Sequence, residues 1–377
     1  MSDDAFLPVG LSRPRLFAKM KERGLDGIIL SSPENVFYTT GYPALPSSGN
    51  PIVYALRNQL PFFAFAGADE RITLLCWGGA AMGIDYGADD VRFFFTYDMS
   101  VDDLGALMAE KLQPGCRVGV ESTFPYYAAQ LLLGRCRPAE VVVIDDLVNR
   151  LRLIKSPAEI ERIRRSTQII DQTVLELADT LRLGMTRLDL IRQAKAGMLR
   201  NGADGVDHVT VAFGPANPEV ALGEILEANQ IVTLDLGAVY AGYVSDNRRL
   251  AYTGIVPQPL KDLHAKLCGI VAEMGRALRP GKTFAELHAY AGELYSRAGV
   301  DPLFLHAGHS LGLQVDERWI LGDDPTILEA GMVLNIELYS ASDEGVMIGD
   351  EETYVVSDGE PQRLSSLPVD ILERRLA

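Results

Sequence analysis

The sequence predicts an α/β (α+β) protein built from two domains. Three observations carry that expectation. The chain has 377 residues, more than one ordinary core absorbs. Its first 150 residues alternate short apolar runs with helical patterns. The remainder reads helix, helix, strands, and then helix, helix, strands again, an architectural repeat whose halves would pack their sheets under an outer layer of helices. The expected domains are therefore 1–150 and 151–377.

In the first domain, "RPRLFAKMKERGL" reads as a helix with Leu16, Met20 and Leu25 roughly on one side. The runs "DGIILSS", "IVYALR", "PFFAFAG", "RITLLCW" and "VRFFFTYD" read as strands between turn residues. "WGGAAMG" is glycine-rich but carries no phosphate-loop lysine and no dinucleotide spacing, so it reads as a loop. A helix around "VDDLGALMAEKL", the strand "RVGVES", a helix through "YYAAQLLLG" and the strand "EVVVID" complete the domain.

The second domain opens on a strong helix start. Ser156 is an N-cap, Pro157 suits the first helical position and Glu159 closes a capping box. Thr186 with Asp189, and later Thr283 with Glu286, repeat that signal. "LKDLHAKLCGIVAEMGRAL" carries Leu263, Leu267, Ile270, Met274 and Leu278 as an apolar stripe. "VTVAFG", "IVTLDLG" and "GYVSDNRRLAYTG" form the first strand group, and "MVLNIELYS" with "GVMIGDEETYVVS" the second.

Composition restricts the function. A hydrophobic share of 47% with 23% charged residues is that of a soluble globular protein. A formal charge of −16 opposes binding to nucleic acid, which needs clustered Lys and Arg, and to anionic membrane surfaces. The N-terminus "MSDDAFLPVG" does not read as a secretory signal, and no apolar run approaches the ~20 residues of a membrane span. Cys76, Cys116, Cys136 and Cys268 are scattered without a CxxC pair, as expected of reduced thiols in a cytoplasmic protein.

Several acidic residues stand where strands should be apolar. Asp235 shares a strand face with Thr233 and Gly237, and Asp246 follows eleven residues on, beyond a turn at Ala241-Gly242. A hairpin would bring both carboxylates to one face, which is costly unless a cation sits between them. Glu337 in "LNIELYS", and Glu351 and Glu352 in "GDEETYVV", add further acids, and His309 in "HAGHSLGLQVDE" adds an imidazole. Converging carboxylates point to a metal or to arginine partners. Two Asp, one His and two Glu suit a pair of divalent ions, manganese, cobalt, iron or zinc, better than a structural zinc. Taken singly, each residue is also compatible with a cap, a surface position or a structural histidine.

"DLGAVYAGYVSD", "HAGHSLGL", "NIELY" and the acidic pair of "DEETYVV" together resemble the ordered motifs of the metallopeptidase family M24 of Xaa-Pro aminopeptidase, prolidase and creatinase. "LRLIKSPAEIERIRRS" and "LDGIILSSPENVFYTTGY" resemble its entries into the catalytic and N-terminal domains. The resemblance implies a creatinase-like N-terminal domain, a C-terminal pita-bread domain with a pseudo-twofold repeat, and in many relatives a homodimer. It implies Asp235, Asp246, His309, Glu337 and Glu351 as ligands of two divalent ions, manganese foremost, with Glu337 also moving protons. Glu351 is chosen over Glu352 because the family places Glu before Asp ahead of the last strand. Arg249 matches a family arginine beside the substrate, and Tyr38 and Tyr42 are candidates to complete the pocket.

The chain also departs from the family pattern. Two histidines that bind the scissile carbonyl are replaced, one by Glu219 in "FGPANPEVALGE" and one by Asp316, seven positions after His309. A carboxylate donates no hydrogen bond unless protonated. His208 is a candidate substitute in the substrate pocket. Three readings follow: an Xaa-Pro peptidase with an altered pocket, a C–N hydrolase or lyase on a small cationic substrate with Asp316 as base, and a non-catalytic binding protein.

Overall fold

The computed structural model describes residues 9–220 and 223–375. The acidic N-terminal octet, and Ala221 and Leu222 in the loop that carries Glu219, lie outside the described residues. The chain forms two compact units, Met1–Arg152 and Leu153–Ala377. Among the described residues no helix is long and apolar enough to cross a membrane.

Unit 1 runs α1 (Arg13–Glu22), β1 (Gly27–Leu30), α2 (Pro33–Thr40), α3 (Ile52–Ala55), β2 (Phe63–Gly67), β3 (Ile72–Trp77), β4 (Asp90–Phe94), α4 (Tyr97–Lys111), β5 (Arg117–Val120), α5 (Tyr126–Leu131), β6 (Glu140–Val143) and α6 (Asp145–Leu153). The sheet order is β4-β3-β2-β1-β5-β6. The β1–β2 and β2–β3 pairs are antiparallel and the others parallel. A buried carboxylate, Glu121, follows β5 and holds the start of α2, accepting from the Ser32 amide at 2.8 Å and from Asn35 Nδ2 at 2.7 Å. One expectation here needs correction. "IVYALR" is not a strand: its first four residues form the single helical turn α3 after Pro51, which caps it. "WGGAAMG" begins with a 3₁₀ turn over Gly78–Ala80. Helices α2 and α6 were not anticipated. The eight residues of α2 end in Thr39 and Thr40, β-branched residues with poor helix propensity, which tertiary packing overrides.

Unit 2 runs α7 (Pro157–Thr180), α8 (Arg187–Arg200), β7 (Gly205–Phe213), β8 (Ile231–Tyr240), β9 (Tyr243–Val244), β10 (Asn247–Tyr252), α9 (Gln258–Ala277), α10 (Phe284–Ala298), β11 (His309–Ser310), β12 (Arg318–Trp319), β13 (Val333–Ala341), β14 (Met347–Val355), β15 (Gln362–Arg363) and β16 (Leu372–Glu373). All three anticipated capping boxes form, at Ser156/Glu159, Thr186/Asp189 and Thr283/Glu286. The repeat is physical. One core packs α7 and α8 residues such as Ile170, Val174 and Leu190 on Leu234 and Leu236 of β8. The other packs Leu267, Met274 and Leu287 of α9 and α10 on Ile336 and Leu338 of β13. The N-cap threonine of the second helix makes the same isolated bridge in each half, Thr186 to Ile225 and Thr283 to Ile327.

The first half builds the sheet β16-β10-β8-β7, with β9 on β8, and the second builds β12-β11-β13-β14-β15. Links between the sheets pass close to the acidic residues. Thr353 Oγ1 donates to the Asp246 carbonyl at 3.1 Å, and Arg248 Nη2 donates to the Met347 carbonyl at 3.2 Å. Gly308 precedes β11 with φ +118, a conformation side chains disfavour, and a Cβ there would strike the Asn335 carbonyl of β13. A backbone oxygen inside a ladder cannot move aside. Gly308→Ala is expected to cost more than about 2 kcal/mol of stability, read as a lowered urea midpoint at unchanged slope.

Candidate metal centre

The acidic site begins with strand register. Ala241 and Gly242 both have positive φ, 48 and 86, so Tyr240 and Tyr243 pair across a two-residue turn that suits right-handed strand twist. The chain then leaves the ladder at Ser245 and Asp246 and rejoins it with Asn247 opposite Leu236. That break frees Asp246, 5% exposed, from strand alternation.

Asp246 meets an imidazole at each oxygen. His208 of β7 brings Nε2 to 3.4 Å from Oδ1, and also to 3.2 Å from Asp235 Oδ1. His309 brings Nε2 to 3.3 Å from Oδ2. Behind the other nitrogen of each ring stands an aspartate, Asp207 at 3.0 Å from His208 Nδ1 and Asp316 at 3.4 Å from His309 Nδ1, where the Ser310 carbonyl also lies at 3.3 Å. This is the arrangement by which an outer carboxylate fixes the orientation of a metal-binding histidine. The His208 ring lies over Gly237, its partner across the ladder, where any Cβ would collide with it.

Glu337 and Glu351 stand directly opposite each other on β13 and β14. The Tyr339 hydroxyl lies 3.1 Å from Glu337 Oε2 and also contacts Glu351 Oε1, while Asn335 Nδ2 is 3.4 Å from Glu351 Oε2. A phenol has one proton, so it cannot serve two carboxylates at once. Arg248 is the nearby guanidinium, 4.0 Å from Asp235 Oδ2 and stacked 4.8 Å over the Tyr339 ring. Six carboxylates, Asp207, Asp235, Asp246, Asp316, Glu337 and Glu351, thus crowd around Arg248 and three imidazoles, His208, His309 and His306.

The titration directions follow from that crowding. Burial, then the charges of Asp246, Asp235 and Asp316, push Glu337 up to about 8 against the pull of His309. Burial and the charges of Asp235, Asp246 and Glu337 drive Glu351 well above the usual carboxylate range. Burial also raises Asp246, but His208 and His309 outweigh it and hold this carboxyl far down. Burial works against charged His309, yet Asp246 and the neighbouring acids raise it to about 9. Burial likewise opposes charge on His208, and Asp207, Asp235 and Asp246 raise it well above its ordinary value. His309 relieves Glu337 and Arg248 relieves Glu351 only in part, and their oxygens with the Asp235–Asp246–His208 cluster form a donor set that suits hard or borderline divalent ions.

The other expected residues fall in different places. Arg249 is not in the pocket. It is 2% exposed on the reverse face of the sheet, 3.3 Å from Asp350 Oδ1 and bonded to Glu352, with its Nε 3.0 Å from the Pro368 carbonyl. Strand alternation explains both this and the choice between adjacent acids: Glu351 faces Asp246, whereas Glu352 faces away to Arg249 and Arg363. Tyr38 is buried in unit 1 with its hydroxyl donating to the Gly10 carbonyl at 3.2 Å. Glu219 is exposed and lines a cavity of about 570 Å³ with Asp235, His306, Trp319, Glu337 and Tyr339. His208 belongs with the acids rather than apart from them, and Asp316, 44% exposed, backs His309.

Sequence reasoning missed His306, Tyr339 and Asp207. His306 Nδ1 stands 3.1 Å from Glu337 Oε1, and its ring lies 4.5 Å from that of Trp319. The available signals were alternation from Glu337 to Tyr339 and the acid immediately before His208. The loop after His309 is anchored by a buried ion pair, Lys155 Nζ to Glu317 Oε2 at 2.8 Å, while Glu317 Oε1 accepts from the Leu313 amide at 3.0 Å.

Fold and site together define a metal-dependent hydrolase class, and comparison supplies the family. The metallopeptidase family M24 matches residues 161–358, and the creatinase/prolidase N-terminal domain matches residues 13–154. The chain belongs to metallopeptidase family M24. It is 27% identical to an Xaa-Pro dipeptidase of Pyrococcus furiosus over 95% of this chain and 98% of that one. It is 26% identical to an uncharacterized peptidase of Bacillus subtilis over 93% and 96%. A Pyrococcus horikoshii dipeptidase structure superposes with TM-score 0.82 at 22% identity, covering 96% and 99% of the chains, and an Escherichia coli aminopeptidase P superposes at 0.72 and 18%, covering 94% and 95%. The expected fold class, a creatinase-like domain followed by a pita-bread domain, is borne out.

The crowding sets a pH dependence for the metal-free protein. Folded Glu337 and Glu351 hold protons above the ordinary carboxylate value of 4.5, and folded His208 and His309 above the ordinary 6.5. The folded state therefore binds more protons than the unfolded chain, and stability falls as pH rises toward about 9. Denaturation midpoints of chelated protein are expected to drop across that window and to flatten when a divalent metal ion is added. A flat profile without metal would contradict the crowding.

Proposed function

We propose that this chain is a dinuclear metal-dependent hydrolase that cleaves a peptide-like C–N bond, with Xaa-Pro dipeptides as the reference substrates and manganese as the ion. The observation that carries the reading is the convergence of Asp235, Asp246, His309, Glu337 and Glu351, which fits two divalent ions, with His208 joining the set. When bound, such ions acidify a water and polarise a carbonyl. Asp207 and Asp316 orient the two imidazoles. Glu337, held by Tyr339 beside His306, takes the proton of the attacking water and passes it to the departing nitrogen. His306 lines the cavity and replaces the absent carbonyl-binding histidines as a hydrogen-bond donor. The Tyr38 hydroxyl, turned to Gly10, and Arg249, buried behind β14, take no part.

Supporting the setting, the oxygen-rich donors suit manganese, the 570 Å³ cavity suits a short peptide, and all four cysteines are free thiols as in the cytoplasm. Exposed Leu303, Phe304 and Leu305 would be covered in a homodimer. A second reading, a small cationic substrate, is favoured by the placement of Glu219 on the cavity wall with Trp319 and Tyr339.

Elemental analysis of manganese-loaded protein should give two ions per chain, and Asp246→Asn should lose them together with Xaa-Pro turnover. Full metal content and activity in that variant would sink the proposal. His306→Ala should lower kcat on Xaa-Pro dipeptides by about 10²-fold at unchanged metal content, as removal of the carbonyl donor requires. An unchanged kcat would shift weight to the cationic substrate, to be sought by turnover of small amides bearing an ammonium group.

A further inference from the structure

The reverse side of β14 carries a second group of ligand-type side chains. His264 and Cys268 stand four residues apart on α9 and so share one helix face. Asp350 extends from β14 on the face opposite Glu351, 1% exposed. One donor atom from each of the three lies within 4.8 Å of the others.

One feature separates this cluster from ordinary packing. Asp350 Oδ1 is held by Arg249 at 3.3 Å, but Oδ2 is buried without a hydrogen-bond partner. Leaving a buried carboxylate oxygen unpaired is costly, so a missing partner is indicated. Cys268 Sγ lies 3.5 Å from His264 Nε2 and 3.7 Å from Nδ1, and its thiol reaches the Val369 carbonyl at 3.9 Å. Arg249 bears on His264, but it is itself paired with Asp350 and Glu352, and Asp370 adds negative charge near both His264 and Cys268.

We propose that His264, Cys268 and Asp350 bind a zinc ion that ties α9 to β14, separate from the centre around Asp246. A sulfur–nitrogen–oxygen set selects zinc over the hard ions suited to the carboxylate centre. Water completes four-fold coordination. Cys268 is partly exposed, and its thiol proton leaves to solvent as the zinc–sulfur bond forms. The ion fixes β14 from behind, on the side away from Glu351.

Cobalt(II) makes the site visible, because thiolate coordination produces a near-ultraviolet charge-transfer band and the carboxylate centre contains no thiol. Cobalt titration of the full-length metal-free protein should develop this band, saturating at one equivalent of the thiolate site. The band should persist in Asp246→Asn and disappear in Cys268→Ser. His264→Gln should weaken cobalt binding at this site at least about tenfold, and provides the test if the serine variant fails to fold. No band in the wild-type protein would overturn the proposal, as would a band that survives Cys268→Ser or requires Asp246. Persistence of the band in Asp246→Asn keeps this test independent of the hydrolase reading.

Discussion

The repulsion among carboxylates around Asp246 is the constraint on which the rest of the catalytic unit depends. Glu337 and Glu351 face each other across a ladder, and Asp235 and Asp246 press on both. Folding brings these groups together because the surrounding strands are apolar and paired. The α7–α8 pair covers one sheet and the α9–α10 pair the other. Two cores therefore force together charges that would separate in water. Imidazoles and Arg248 offset part of that cost, and divalent cations complete the balance in this family.

The two halves contribute unlike chemistry to a common geometry. The first supplies Asp235 and Asp246 with His208, and the second supplies Glu337 and Glu351 with His309. Each histidine turns Nε2 inward and keeps an aspartate at Nδ1. Asp316, conspicuous in the sequence as a replaced histidine, stands with the Ser310 carbonyl at the outer nitrogen of His309. The pairing also explains why His208 sits opposite a glycine: the ring needs the volume that a side chain at Gly237 would occupy.

Much of this organisation was legible in the sequence. Capping boxes located three helices because their signal is local, confined to four residues. The Asp235–Asp246 hairpin was legible because the Ala241-Gly242 turn and strand alternation together determine register. "IVYALR" misled because β-branched and aromatic residues suit either element, and Pro51 decided for a helical turn. Arg249 misled because its neighbour Arg248 shares its chemistry and points the other way. His306 and Asp207 were hidden because their roles arise from residues distant in sequence, Glu337 for one and the shared approach of β7 and β8 for the other.

Strand β14 is chemically two-sided. Glu351 belongs to the acidic pocket, and Asp350 and Glu352 belong to the arginine-bound reverse face. The consequence concerns how this protein can change over generations. One residue gained or lost within the strand would exchange the two faces, placing Glu351 against Arg249 and removing a carboxylate from the pocket. Length variation must instead be absorbed at the exposed hairpin tip around Asp343 and Glu344, where Gly345 already adopts a left-handed conformation and register downstream can be recovered. Evolution can lengthen this hairpin at its end, but within β14 it is limited to replacing one side chain with another.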